Sequence, residues 1–286
     1  MSTRARHSHP APVEPASSQH GFIRVAAIQM ASGPGVAANL SEAEMLLAMA
    51  ARQGAVLAVL PEYFALMGMR ETDKVDACEQ EGDGPIQQFL SQQARMHRMW
   101  IVGGSVPIAC ESPGRIRNTC LVYDSDGNRV GRYDKIHLFG LNMGNESYQE
   151  DRTIEPGGEV VVLDTPFGRL GLSICYDLRF PELYRAMHPV DLIVVPAAFT
   201  ETTGKAHWDT LIRARAIENL CYVIAAAQGG YHCNGRETHG NSMIVDPWGT
   251  VLDRLPRGSG VVIANLDRDY QQRLRAGLPA LQHRIL

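Results

Sequence analysis

No run in the 286 residues of this chain approaches the roughly 20 apolar residues that a bilayer span requires. A basic excess is missing too. Lysine and arginine number 27 against 31 aspartates and glutamates, a formal net charge of −4. A nucleic-acid-binding surface normally carries a basic stripe, so neither DNA, RNA nor a membrane is expected as a partner. The six cysteines (Cys78, Cys110, Cys120, Cys175, Cys221, Cys233) include no CxxC pair. Several sit in apolar surroundings, which reads as a reduced cytoplasmic protein. The glycines form no dinucleotide fingerprint, because Gly103-Gly104 lacks the GxGxxG spacing and the acidic residue at the next strand. The N-terminal stretch lacks the apolar centre of a signal peptide. Rich in Pro, Ser, Ala and His, residues 1–20 are expected to be a disordered leader.

What the chain does have is the balance of an ordinary globular protein, 45% hydrophobic and 20% charged. From Phe22 onward, β-rich runs alternate with helical patterns. FIRVAAIQM reads as a strand, LSEAEMLLAMAARQG as a helix, and AVLAVLPEYF as a strand stopped by Pro61. PIQQFLSQQARMHR is a second helix and MWIVGGSVPI a strand. RNTCLVYDSDGNRVGRYDKIHL predicts a hairpin turning at Asp126-Gly127. A loop rich in Asn, Gly and Glu follows, then a hairpin turned at Pro166 to Gly168 whose second strand runs into SICYD. The helix FPELYRAMH, the strand VDLIVVPAAF, the helix AHWDTLIRARAIENL and the strand CYVIAAAQG come next. HGNSMIVDPWGTVLDRL and GSGVVIANLDR complete a last pair of strands. Parallel crossings mixed with hairpins imply an α/β protein with mixed sheets. About a dozen strands favour two stacked sheets faced by helices over one open sheet. No linker, composition break or repeat divides residues 21–286, which read as a single domain.

Three apolar strands end in a reactive or charged residue: VLPEYF with Glu62, YDKIHLF with Lys135, and SICYDLRFPE with Cys175. At the last of these, polar residues take over abruptly. A strand turning into a helix there exposes backbone N–H groups that favour a thiolate. A lone cysteine is more often packing. Glu62 alone reads equally as a helix-start carboxylate, and Lys135 as a strand-end charge. Together, a base, a cation and a thiol are what covalent hydrolysis of an amide or nitrile requires.

These segments resemble the signatures of the nitrilase superfamily of carbon–nitrogen hydrolases. The likeness runs in order from Phe22 to Ile285 and includes PEYF, YDKIHLF, CYDLRFPELYR, PAAFTETTGKAHWDTLIRARAIEN, AAAQGG and GNSMIVDPWG. It implies a four-layer αββα sandwich of two mixed sheets flanked by helices, needing no metal or organic cofactor. It implies Glu62 as general base, Lys135 as oxyanion-side cation, Cys175 as nucleophile and the Tyr176 N–H as a second oxyanion donor. A further glutamate is implied in NMGNESYQEDRTIEPGG. Glu150 is the better match and Glu146 the competitor, orienting Lys135 or the substrate amide. CYDLRFPELYR with AFTETTGKAHWDTLIRARAIEN is most similar to the Nit-type amidases, which include hydrolases of deaminated glutathione and ω-amidases acting on α-ketoglutaramate. The implied substrate is a small carboxylated amide, with nitrile hydrolysis, N-carbamoyl cleavage and acyl transfer as alternatives on the same triad. The resemblance also implies a homodimer or larger assembly.

A carboxylated substrate needs a cation, and Arg179 and Lys205 are the candidates. Arg179 has the competing role of locking the elbow through a buried ion pair. Phe199 and Thr200, at the same sheet end, are expected in the pocket wall. One departure from the Nit-type pattern is Gly140, where relatives usually carry an aspartate, in a loop expected to border the acyl group. His137 lies on the face of Lys135 and invites a Cys–His reading, but hydrogen bonding in the core or pocket wall is the expected role. His207 and Trp208 are expected to pack or cap a helix start. YHCNGRETHG, with His232, Cys233 and His239, fits no zinc spacing and is expected to be a surface hairpin loop.

Overall fold

Alternation in the first strand shows how the layers arise. In the computed structural model, which describes residues 21–144 and 146–285, β1 (Phe22–Gln29) sends Val25 and Ala27 to one face and Ala26 and Ile28 to the other. A period of two on an apolar run buries both faces of a sheet. One face meets a second sheet and the other meets helices. The leader expected over residues 1–20 lies outside the described residues.

The chain then forms α1 (Val36–Arg52), β2 (Leu57–Val59), α2 (Asp73–Asp76) and α3 (Pro85–His97). Pro85 opens α3, where its missing N–H is no loss. The segment MWIVGGSVPI is two short strands, β3 (Trp100–Val102) and β4 (Val106–Ala109), rather than one. A Cβ on Gly104, whose φ is +56°, would fall 2.1 Å from the Pro61 carbonyl oxygen, so the break belongs to the close approach of the Glu62 segment. The expected hairpin is β5 (Ile116–Tyr123) with β6 (Arg129–Asp134). The polar loop after it contains a small hairpin, β7 (Gly140–Met143) and β8 (Glu146–Gln149), which the composition did not suggest.

The second half gives β9 (Val162–Thr165), β10 (Gly168–Leu172), α4 (Pro181–Ala186), β11 (Leu192–Ala197), α5 (Glu201–Asn219) and β12 (Tyr222–Ala227). It continues through the hairpin β13 (Gly229–Tyr231) and β14 (Glu237–His239), then β15 (Ser242–Val245), β16 (Val251–Leu255), β17 (Gly260–Asp267) and α6 (Arg268–Gly277). Helix α5 begins before the predicted AHWD. Thr200 caps it, its Oγ1 accepting from the Thr203 N–H at 3.3 Å. β17 does not continue the β15–β16 ladder as expected. It returns to the first sheet and pairs antiparallel with β1 from Phe22↔Asp267 to Gln29↔Gly260.

Both sheets have the same pairing pattern. In the first, β17, β1, β2, β3 and β5 run antiparallel, parallel, parallel, antiparallel, with β6 beyond β5. In the second, β9, β10, β11, β12 and β15 repeat that sequence, with β16 beyond. Their inner faces share one core in which Leu57, Val59 and Val122 join Leu172, Val194 and Ile224. Helices α1 and α3 cover the outer face of the first sheet, and Trp208, Ile212 and Ala216 of α5 pack on the second. The result is an αββα sandwich. No described helix is long and apolar enough to cross a membrane.

The carboxyl ends of the parallel strands β2, β10, β11 and β12 lead to Glu62, Cys175, Thr200 and Gln228. Gln228 ties the two sheets together there. Its side chain accepts from the Ser32 N–H at 3.0 Å and donates to Ser32 Oγ at 2.8 Å and to the Glu62 carbonyl at 3.1 Å, all buried. A buried polar group left unpaired costs about 1–3 kcal/mol. Gln228→Met, which keeps the volume and removes these bonds, is expected to lower unfolding free energy by about that amount. Urea titration followed by circular dichroism checks it, and an unchanged midpoint would show that the sheets are not fastened at this point.

Candidate active site

Two backbones at the strand ends are held in an unusual conformation. Tyr63 has φ of +58° and Cys175 has φ of +50°. Left-handed geometry is costly for a residue with a Cβ, and it persists where surrounding structure imposes it. At Cys175 the imposing group is Asp177. Its Oδ2 accepts from the Ile174 N–H at 2.8 Å and the Tyr133 hydroxyl at 2.7 Å. Its Oδ1 accepts from the His137 N–H at 3.0 Å and lies 2.8 Å from His137 Nδ1. The strand therefore stops at Leu172, before the expected Ile174, and residues 175–179 form a single tight turn ahead of α4.

Lys135 lies at the centre. Its Nζ donates to Glu62 Oε1 and to Glu150 Oε2, both at 2.8 Å, and its side chain is wholly buried. Glu62 Oε1 also accepts from Asn118 Nδ2 at 2.9 Å. Glu62 Oε2 has no hydrogen-bond partner among the described residues. Glu150 is fastened further by the Tyr63 hydroxyl and the Phe139 N–H, each at 2.8 Å. Glu150 thus stands against Lys135. Glu146 lies on β8 and takes no part in these bonds.

Burial acts to lower the Lys135 pKa, but the charges of Glu150, Glu62 and Cys175 overcome it and raise the value, so the group stays an ammonium. Burial also works against the Glu150 carboxylate, yet Lys135 and the Phe139 N–H hold its pKa below the ordinary value. The Cys175 thiol is pushed well up, first by burial and then by the negative charge of Glu62, against the pull of Lys135. The first two causes favour the thiol over the thiolate.

A family model described as carbon–nitrogen hydrolase matches residues 24–276. This chain belongs to the carbon–nitrogen hydrolase family. It is a hydrolase of carbon–nitrogen bonds of the amidase kind and not a peptidase. The deaminated glutathione amidase of Synechocystis sp. is 44% identical to it over 268 residues, covering 91% of this chain and 97% of that protein. Nit3 of Saccharomyces cerevisiae, described as a member of branch 10 of the nitrilase superfamily, superposes with a TM-score of 0.82 at 29% identity. That match covers 91% of this chain and 95% of Nit3. An amidase from Nesterenkonia sp. AN1, with acrylamide added at its active site cysteine, matches with a TM-score of 0.75 at 29% identity. It covers 90% of the hydrolase and 98% of that chain.

Two pockets that share Phe139 lie at this end of the hydrolase, as two lobes. One lobe is walled by Cys175, Tyr176, Arg179, Phe199 and Thr200, so those sequence-selected residues come together. Thr200 Oγ1, however, is engaged by Thr203 at 3.0 Å. Arg179 does not form the expected buried ion pair. Its guanidinium lies between the rings of Tyr176, at 5.7 Å, and Phe199, at 5.4 Å, and reaches His207 at the rim. Lys205 is exposed on α5 and outside the cavity. Gly140 is likewise exposed, at the start of β7. His137 lines neither lobe; it stacks on Phe180 with centroids 3.7 Å apart and its Nδ1 lies 2.8 Å from Asp177. Trp208 is buried, donating to the Asn241 carbonyl at 2.8 Å.

The second lobe is walled by Tyr63, Lys74, Phe139, Tyr148, Glu150 and Arg236. Arg236 belongs to the YHCNGRETHG hairpin, so that segment is not merely a surface loop. Its His232 is buried against the Ser32 carbonyl and Thr238, Cys233 is exposed, and His239 pairs with Glu201, so the three do not converge on a metal. Asn118 also escaped the sequence reading, and Asp177 stood there only as one of the polar residues after Cys175. A polar Asn inside the apolar strand IRNTCLVY was a usable signal for the first.

Replacing the Glu62 carboxylate with an amide removes the negative charge that raises the thiol and leaves the pull of Lys135. Glu62→Gln is therefore expected to lower the Cys175 pKa while cutting amide hydrolysis by roughly 10²- to 10⁴-fold. Thiolate absorbance against pH, as a difference from Cys175→Ser, reads the first effect. An unchanged or raised thiol pKa would refute the electrostatic assignment.

Proposed function

We propose that the hydrolase is a cysteine amidase that cleaves a small carboxylated amide, of the deaminated glutathione or ω-amide type, through a thioester on Cys175. The single observation that carries the reading is the buried Glu62–Lys135–Glu150 chain set beside the Cys175 thiol in a strained turn. The relatives named as deaminated glutathione amidases support the substrate class. So do the two arginines in the cavity walls.

In the first step Sγ attacks the amide carbon as its proton passes to Glu62 Oε2. Two of the three Nζ donors of Lys135 are occupied by glutamates. The third, with the Tyr176 N–H that follows the nucleophile, holds the developing oxyanion. Glu62 next gives its proton to the departing nitrogen as the C–N bond breaks, which releases amine or ammonia and leaves the thioester. Water then attacks the acyl carbon and loses a proton to Glu62. The C–S bond breaks, the proton returns to sulfur, and the carboxylic acid leaves. Glu150 acts by fixing Lys135. All six cysteines are free, which suits a thiol enzyme working in the reducing cytoplasm.

Incubation with a panel of ω-amides, deaminated glutathione, nitriles and N-carbamoyl compounds, with ammonia and amine release measured, tests the reaction. Turnover of nitriles or carbamoyl compounds with none of the amides would overturn it. Intact-protein mass spectrometry during turnover is expected to show an acyl adduct that is absent in Cys175→Ala, whose rate falls about 10⁴-fold or more. A wild-type rate in that variant would remove Cys175 from the nucleophile role.

A further inference from the structure

The cavity is lined by four cations, and two of them have no carboxylate partner. Arg70 pairs with Asp73 at 2.9 Å and Lys74 with Glu71 at 2.6 Å. Arg179 and Arg236 pair with no carboxylate among the described residues. Arg236 is the less expected of the two. Its Nη2 donates to the Ala198 carbonyl at 2.8 Å, and its guanidinium lies over the Tyr148 ring at 5.0 Å. Its Nε is buried with no partner. A buried donor left unmade is unfavourable, and a guanidinium with an unused donor matches a carboxylate.

The hairpin that carries Arg236 is held firmly. His232 bonds the Ser32 carbonyl and Thr238 Oγ1, each at 2.8 Å, and Asn234 Nδ2 donates to the Gly68 carbonyl at 2.8 Å. The Arg236 N–H donates to Asn234 Oδ1 at 3.0 Å. The cation is therefore positioned before substrate arrives, which lowers the entropy cost of using it.

The chemistry decides which end of a substrate it meets. The carboxylate that takes the thiol proton gives it to the departing nitrogen, so the amine leaves on the Glu62 side. Asn118 Nδ2 reaches both Glu62 Oε1, at 2.9 Å, and the Tyr63 hydroxyl, at 3.5 Å. Tyr63 walls the same lobe as Arg236, whereas Arg179 shares its lobe with the nucleophile. Phe139 borders both.

We propose that Arg236 anchors a carboxylate on the leaving amine, so that the hydrolase selects amides of amino acids or short peptides over primary amides with the same acyl group. This rests on the amidase reading above and adds to it a residue that sets specificity. Arg179 is left for a carboxylate on the acyl side.

The test compares three substrates with one acyl group: deaminated glutathione, its C-terminal carboxamide, and α-ketoglutaramate. Wild-type kcat/KM is expected to favour the free acid over the carboxamide by roughly 10- to 100-fold, mostly through KM. Arg236→Gln is expected to erase that preference, and Arg236→Lys to keep part of it, because an ammonium supplies the charge without the fork. Equal losses on the acid and the carboxamide, with the preference kept, would show that Arg236 only holds its hairpin. The proposal would then fail with the amidase reading intact. Turnover of α-ketoglutaramate alone would have the same meaning. Wild-type inertness toward all three would overturn both readings. Should Arg236→Gln not fold, the wild-type comparison still decides, since no preference for the acid leaves Arg236 without a carboxylate to hold.

Discussion

A lysine buried between two glutamates sets the terms for everything around it. Moving an ammonium and two carboxylates out of water costs several kcal/mol per ion, and the arrangement survives only if each charge is paired and hydrogen-bonded. Lys135 meets that condition with two 2.8 Å bonds, while Asn118, Tyr63 and the Phe139 N–H satisfy the glutamates. One carboxylate oxygen, Glu62 Oε2, is left over. Burial first, and the charge of Glu62 second, push the Cys175 thiol up, against the pull of Lys135.

The sheets exist, from this viewpoint, to bring that cluster to one place. Glu62 and Cys175 follow parallel strands of different sheets, and Lys135 follows the edge of the first. Tyr133, from the first sheet, donates to Asp177 in the turn of the second. Gln228 does the converse, from the second sheet to the Glu62 backbone. Each sheet thus fastens the other's functional turn. The repeated antiparallel, parallel, parallel, antiparallel pairing places the two sets of strand ends opposite each other across one core.

Much of this was legible in the residues. Glu62, Lys135 and Cys175 stand where apolar runs end, and a charged residue at a strand end is visible without knowing the fold. Glu150 against Glu146 was not decidable locally, because the choice depends on which residue the β7–β8 hairpin returns to Lys135. The destination of β17 was hidden for the same reason: its pattern fits either sheet. Arg179 was read as an ion-pair partner, but its neighbours are the faces of Tyr176 and Phe199. Arg236 carried no local signal. A polar Gly-containing hairpin reads as surface, and only its fastening at Ser32 and Gly68 turns one side chain inward.

The charge of the triad also limits what can bind beside it. In the proposed reaction, proton transfer from Cys175 to Glu62 would move charge within the cluster and add none. A carboxylated substrate is different, because it brings a new carboxylate close to the two buried glutamates. At a local dielectric well below that of water, like charges a few ångströms apart repel by several kcal/mol. The site can accept such a substrate only where cations outside the triad receive it. Arg179 and Arg236 line the two pockets that meet at Phe139 and are unclaimed by any described carboxylate. Lys135 is committed to its two glutamates, with one Nζ donor left over. On the proposed reading the division of labour follows from electrostatics: one cation would serve the reaction and the others recognition.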